Sequence, residues 1–192
     1  GDDLRDEIDS LISKGEELKN LDTAESIDSI KDDIQSANAY LGAEKVVEAL
    51  ENEAQIIITG RVADPSLALA PLIHEFNWKA DDWNKLALGT IAAHIIECGA
   101  QGSGGNCSYK WEEIPDLANI GYPIIEASED KIVITKHENT GGRVDLAPIK
   151  EQLVYEISDP QNYITPDVIA DFSSVELKED GKNRVQISNA KG

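Results

Sequence analysis

The sequence predicts an α/β fold: a mainly parallel sheet with flanking helices, plus a C-terminal β-hairpin region. Three observations carry that expectation. The stretch "SANAYLGAEKVVEALENEAQIIITGRVADPSLALAPLIHEF" passes from an amphipathic segment to a continuous apolar run and back to a helical pattern, the rhythm of strands covered by helices on both faces. At 192 residues, 41% hydrophobic and 28% charged, the chain is long and apolar enough to bury a core. Its end, "DFSSVELKEDGKNRVQISNAKG", alternates apolar and polar residues around Asp180 and Gly181, a hairpin signature. Residues 1–158 are therefore expected to form the α/β core, with 159–192 a strand and hairpin segment continuing the same domain.

The elements follow in order. From Asp2 to Ser36 the chain is acidic and helix-biased, with Leu4, Ile8, Leu11 and Ile12 on one face and Ile27, Ile30 and Ile34 on another. Its charges read as a solvated face. The next helix turns Ala43, Val46, Val47 and Leu50 inward and leads into the expected strand "QIIITG". After it, Asp64 is placed to cap a helix, Pro65 suits the first turn, and Leu67, Leu69, Leu72 and Ile73 supply apolar surface. The segment "GYPIIEASEDKIVITKHENTGGRVDLAPIKEQLVYEI" reads as strand, turn, strand, loop and helix, with "ASED" as the hairpin connection.

Charge excludes some partners. A net charge of −20 and a pI near 4.3 make nucleic acid and anionic membrane surfaces unfavourable partners. No apolar run reaches the roughly 20 residues of a membrane span and no signal peptide leads the chain, so a cytoplasmic location is expected. Cys98 and Cys107 make no disulfide framework and no CxxC pair, so both are expected reduced. The chain has no methionine and opens on "GDDLRDEIDSL", which reads as the interior of a longer sequence.

Arg61 follows Gly60 at the carboxyl end of the expected central strand, where open α/β sheets bind ligands. A guanidinium there calls for an internal ion pair, with Asp64 the nearest partner, or for an anionic ligand. The helix "DDWNKLALGTIAAHIIECGAQ" places Ala87, Leu88, Ile91, Ala92, Ile95 and Cys98 on a wide apolar arc and Thr90, His94, Glu97 and Gln101 in a narrow polar stripe. Such a stripe lines a cleft or is satisfied internally. A lone buried histidine is ordinarily a hydrogen-bonded core residue, but a carboxylate one turn later points to a pair or a ligand site. Two ligands at i, i+3 do not define a metal site, and none is assigned. The following "CGAQGSGGNCSY" and the loop "KHENTGG" concentrate glycines and polar groups, which suit ligand-holding amides as well as solvated turns. No GxGxxG follows a strand and no GxxxxGK[ST] occurs, so no cofactor is assigned.

Taken together, "ITGRVADPSLALAPLIHEF", "LALGTIAAHIIECGAQGSGGN", "KHENTGGRV" and "LVYEISDPQNYITPDVIADF" resemble the acyclic terpene utilisation (AtuA-type) family, in the right order and over essentially the whole chain. Three positions depart from its pattern: Cys107 where an aromatic is common, Asn77 where glycine is frequent, and Arg143 where an apolar residue is common. The resemblance implies that roughly the first hundred residues of the usual domain and a segment after Gly192 are absent. It also implies a cytoplasmic protein of acyclic terpenoid breakdown through acyl-CoA intermediates, but no catalytic residues.

The resulting expectation is an enzyme of branched acyl-CoA or carboxylate catabolism, a hydratase or lyase that transfers a proton next to a carbonyl. His94 and Glu97 are its expected catalytic pair. The expected substrate contacts are Arg61, Asp64, Ser66, Thr90 and Gln101, then Gly104, Gly105 and Asn106, then His137, Glu138, Asn139, Thr140, Gly141 and Gly142, with glycine amides holding oxyanions. Its partner is an anionic small molecule such as an acyl-CoA, with neither nucleic acid nor membrane, and a homo-oligomer is allowed. The alternative is a noncatalytic binding or assembly subunit whose polar stripes are structural.

Overall fold

The computed structural model describes residues 2–128 and 131–192. The chain divides into two units, one of Gly1–Leu41 with Ile58–Val62 and one of Gly42–Ile57 with Ala63–Gly192.

In the first unit, the expected inward face exists on a shorter helix. Helix α1 (Ile8–Ser13) buries Ile8 and half-buries Leu11 and Ile12, as a preceding turn half-buries Leu4. It stops because Gly15 adopts φ +92°. There the Gly15 amide reaches the Ile12 carbonyl at 3.0 Å and the Glu16 amide the Leu11 carbonyl at 3.1 Å, the Schellman pattern of a helix end. Ile27–Ser29 and Lys31–Asp33 form single 3-10 turns.

The second unit holds the helices α2 (Glu44–Glu51), α3 (Ser66–Phe76), α4 (Trp83–Glu97) and α5 (Leu146–Val154). Its strands are β1 (Pro123–Ser128), β2 (Lys131–Lys136), β3 (Tyr163–Ile164), β4 (Ile169–Ala170), β5 (Glu176–Glu179) and β6 (Val185–Ser188). Four strands form a sheet in the order β1-β2-β6-β5, and β3 with β4 makes a separate ribbon.

The expected parallel sheet is overturned: every pairing between these strands is antiparallel. Among the described residues, parallel pairing is limited to the single bridges Leu41↔Val62 and Ile120↔Gly141. The error starts at "QIIITG", which forms no strand. Ile56 and Ile58 are 84% and 92% exposed, and only Ile57 packs against the core. An apolar run shows that a segment is able to pair, but its partner is decided by distant residues. The fold is thus α+β, built from hairpins. Both expected hairpins are present, β1–β2 and β5–β6. The expected turn residues Glu129 and Asp130 of the first lie outside the described residues.

Helix α4 organises this unit. It packs on β1, β2 and β6 and is flanked by α3 and α5. From Leu86 to Ile95 every residue but Leu88 is buried, as expected of a helix apolar nearly all round. Full burial of Ile91 and Ile95 contributes about 1.5–3 kcal/mol each. Gly89 lets α3 approach, since a Cβ there would lie 2.6 Å from Leu69 Cδ1. Asp64 does not cap α3, whose N-cap is Pro65 with no side-chain cap bond. The same helix ends at Asn77 with φ +51°, a left-handed cap that asparagine tolerates. No helix among the described residues is long and apolar enough to cross a membrane.

Candidate functional site

Thr90, His94 and Glu97 of the expected polar stripe lie along α4, while Gln101 falls on the 3-10 turn Gly99–Ser103 beyond the helix end, where Gly99 at φ +58° breaks the repeat. Thr90 is 1% and His94 2% exposed, and the Glu97 side chain is 19% accessible although the residue as a whole is exposed. Thr90 Oγ1, His94 Nδ1 and Gln101 Oε1 are buried without hydrogen-bond partners, and so is Gln152 Nε2 on the neighbouring α5. Each such group costs roughly 1–3 kcal/mol of desolvation.

His94 sits in an aromatic corner, edge-on to Tyr163 at 5.7 Å and to Phe172 at 5.2 Å between ring centroids. Its Nε2 meets the Gln152 carbonyl at 3.1 Å. A carbonyl only accepts, so Nε2 carries the hydrogen and Nδ1 presents a lone pair. That lone pair faces Glu97 Oε1 at 3.9 Å. Burial lowers the pKa of His94 against the opposing pull of its bond to Gln152 and the charge of Glu156. Burial also raises the pKa of Glu97, followed by the charges of Asp64 and Glu156. Both shifts run toward the neutral forms. The pair is therefore an imidazole 3.9 Å from a carboxyl, both in surroundings that disfavour their charged forms. Cys98 Sγ completes the cluster, 3.6 Å from Glu97 Oε1, and its own pKa is raised by burial and then by Glu97.

The two glycine segments meet each other. The Arg143 amide donates to the Ser103 carbonyl at 2.8 Å, and a Cβ on Gly142 would lie 2.8 Å from the same oxygen. Their amides are already engaged: Gly104 with Gln101 O, Gly105 with Ala100 O, Gly141 with Asn119 O and Gly142 with Pro115 O, at 2.8–2.9 Å. Asn106, His137, Glu138 and Asn139 are exposed. The loop after β2 is held from inside by Lys136, 7% exposed, whose Nζ donates to Thr140 O at 2.7 Å, Thr140 Oγ1 at 3.1 Å and His137 O at 3.2 Å.

The remaining expected contacts are Arg61, Asp64 and Ser66. Arg61 is exposed in the first unit, where its amide donates to Asp2 Oδ2 at 2.8 Å and its carbonyl accepts from Leu41 at 3.2 Å. Asp64 is exposed in the second unit and acts on Glu97 through its charge. The Ser66 hydroxyl donates to Asp167 Oδ2 at 2.5 Å, and Asp167 Oδ1 accepts the Ala43 amide at 2.8 Å.

Gln152 and Glu156 are not among the contacts the sequence predicts. Gln152 carried a readable signal, a polar residue three positions after Ile149 on the buried face of a helix. Two of the three departures from the family pattern touch: Arg143 Nη2 lies 3.7 Å from Cys107 Sγ and 2.9 Å from the Tyr109 carbonyl. Among the described residues no group of three or more His, Cys, Asp or Glu could hold a metal ion, and both cysteines are free.

Comparison with known protein families gives a match over the whole chain. The profile described as "Acyclic terpene utilisation family protein AtuA" matches residues 1–192, the whole chain. No curated protein and no solved structure matches.

Proposed function

This chain belongs to the acyclic terpene utilisation family AtuA, and we propose that within that role it is an enzyme moving a proton next to the carbonyl of a branched acyl thioester. The observation that supports this reading is the unpartnered Nδ1 of buried His94, 3.9 Å from the partly accessible Glu97 carboxyl. Glu97 is the group that exchanges the proton with substrate. His94 stands behind it as a positioning residue, whose free lone pair favours the protonated carboxyl.

The surroundings favour one substrate form. Asp64 and Glu156 already act on Glu97, so a free carboxylate there would add a further negative charge. A thioester carbonyl is neutral and avoids that repulsion. A hydratase or lyase acting on a branched acyl-CoA suits these demands. Arg61, in the other unit, takes no part in this proposal, and a cytoplasmic location belongs to the same reading.

A second reading, a noncatalytic binding or assembly subunit, is favoured by the His94 ring itself, tied to the backbone and packed on Tyr163 and Phe172. A thermal-shift series separates the two. At 100 times Kd a ligand adds about 2.7 kcal/mol, which raises the Tm of a chain this size by roughly 5–10 °C. The enzyme reading expects such a rise with branched acyl-CoA esters and not with the corresponding free acids. No rise with any ester would reject it.

A further inference from the structure

A second feature of this unit lies away from the His94–Glu97 pair. A cleft of about 670 Å³ opens between α2 and the start of α4. Its floor is apolar, with Ile73, Trp78 and Leu86, and Trp83 stands on its wall 51% exposed. Along α2 the rim carries Glu44, Glu48 and Glu51. Spaced i, i+4 and i+7, they form one row along the helix, roughly 10 Å long. Lys45 pairs with Glu48 at 2.7 Å and Glu44 at 3.8 Å, while Lys79 lies on the lining; with Asp167 also present the rim stays net acidic.

We propose that this cleft docks a lysine- or arginine-bearing amphipathic helix of a partner protein. The row of carboxylates has the residue repeat of a helix, so basic side chains at i, i+4 and i+7 of an approaching helix meet it one for one. The apolar face of the same helix covers the floor, and Trp83 serves both as an apolar anchor and as a cation–π surface. Charge selects against a second copy of this chain, because two molecules of net charge −20 would bring acidic surfaces together. A small organic cation would answer only one carboxylate of the row.

The test uses the whole chain and a synthetic helical peptide of about 14 residues, long enough to sustain a helix, with one leucine face and lysines at that spacing. Calorimetry at about 0.15 M salt screens diffuse attraction. The expected result is a Kd on the order of 10 µM. Binding should weaken at least ten-fold in Trp83→Ala and in the charge reversal Glu51→Lys. It should be unchanged in Glu112→Gln with Glu113→Gln, exposed acids outside the cleft. A peptide with glutamates in place of the lysines should not bind. Because Glu51 is exposed, its reversal tests the site even where Trp83→Ala proves unstable. The proposal is overturned by absence of binding, by equal binding to all variants, or by benzyltrimethylammonium binding as tightly as the peptide.

Discussion

His94 Nδ1 faces Glu97 Oε1 across 3.9 Å, one helical turn along α4, while the opposite nitrogen of the same ring is tied to the Gln152 carbonyl. Burial acts on the two residues in opposite senses on the pH scale, lowering the pKa of the histidine and raising that of the glutamate. Their consequences for stability differ in sign, and so are separable.

For His94 the folded pKa lies below its ordinary 6.5, so below about that pH the unfolded chain binds the extra proton. Its contribution is present above 6.5 and is lost as pH falls toward the folded value. For Glu97 the folded pKa lies above its ordinary 4.5, so its contribution is present below 4.5 and is lost as pH rises through the folded value. His94→Gln should therefore flatten the decline of Tm below pH 6.5, whatever its effect on absolute stability. An unchanged slope would show that another group titrates there.

Lys136→Met should loosen the loop 137–140 more than the sheet. Methionine fills the volume of the lysine stem but takes the ammonium donor from the Thr140 carbonyl, while the His137 carbonyl keeps the Thr140 hydroxyl at 2.8 Å. A loss of about 1–3 kcal/mol is expected in denaturant unfolding, with amide exchange accelerated at His137–Thr140 and not in β2.

Ser66→Ala should cost stability, not ligand affinity, because the hydroxyl is committed to Asp167. Asp167→Ala should cost more, about 3 kcal/mol or above, since a carboxylate that accepts from both Ser66 and the Ala43 amide is lost. Equal unfolding midpoints for wild type and both variants would refute this assignment.

Gly141→Ala should be severe, at least about 3 kcal/mol, because its Cβ would fall 1.8 Å from the Asp116 carbonyl oxygen, a backbone atom unable to step aside. Gly15→Ala provides the contrast. Nothing lies within 4 Å of the added carbon, and only the left-handed φ of +92° is strained, so a loss near 1 kcal/mol is expected.

What the sequence made legible was local. The helices α3, α4 and α5 and the two hairpins follow from apolar periodicity and turn residues within single segments, and the alignment of Thr90, His94 and Glu97 follows from the 3.6-residue repeat alone, whereas Gln101 lies past the helix end. What it hid was nonlocal. The run Ile56–Ile58 carries strand-forming residues but no strand partner. The glycines of "GSGG" and "NTGG" resemble free amide donors until carbonyls at Pro115 and Asn119 claim the second pair. Gln152 enters the site only because α5 packs on α4, and Lys136 reads as the start of the polar loop "KHENTGG" although it is buried and holds that loop from inside.

Proton exchange by Glu97 next to a thioester carbonyl is measured by deuterium incorporation. The protein is incubated in D₂O with a saturated branched acyl-CoA, and exchange at the carbon beside the carbonyl is followed by mass spectrometry. The wild type should exchange, with a loss on the order of 10²-fold or more in Glu97→Gln at near-unchanged Tm. Equal exchange by both proteins, or no exchange by a wild type that binds the ester, would contradict it.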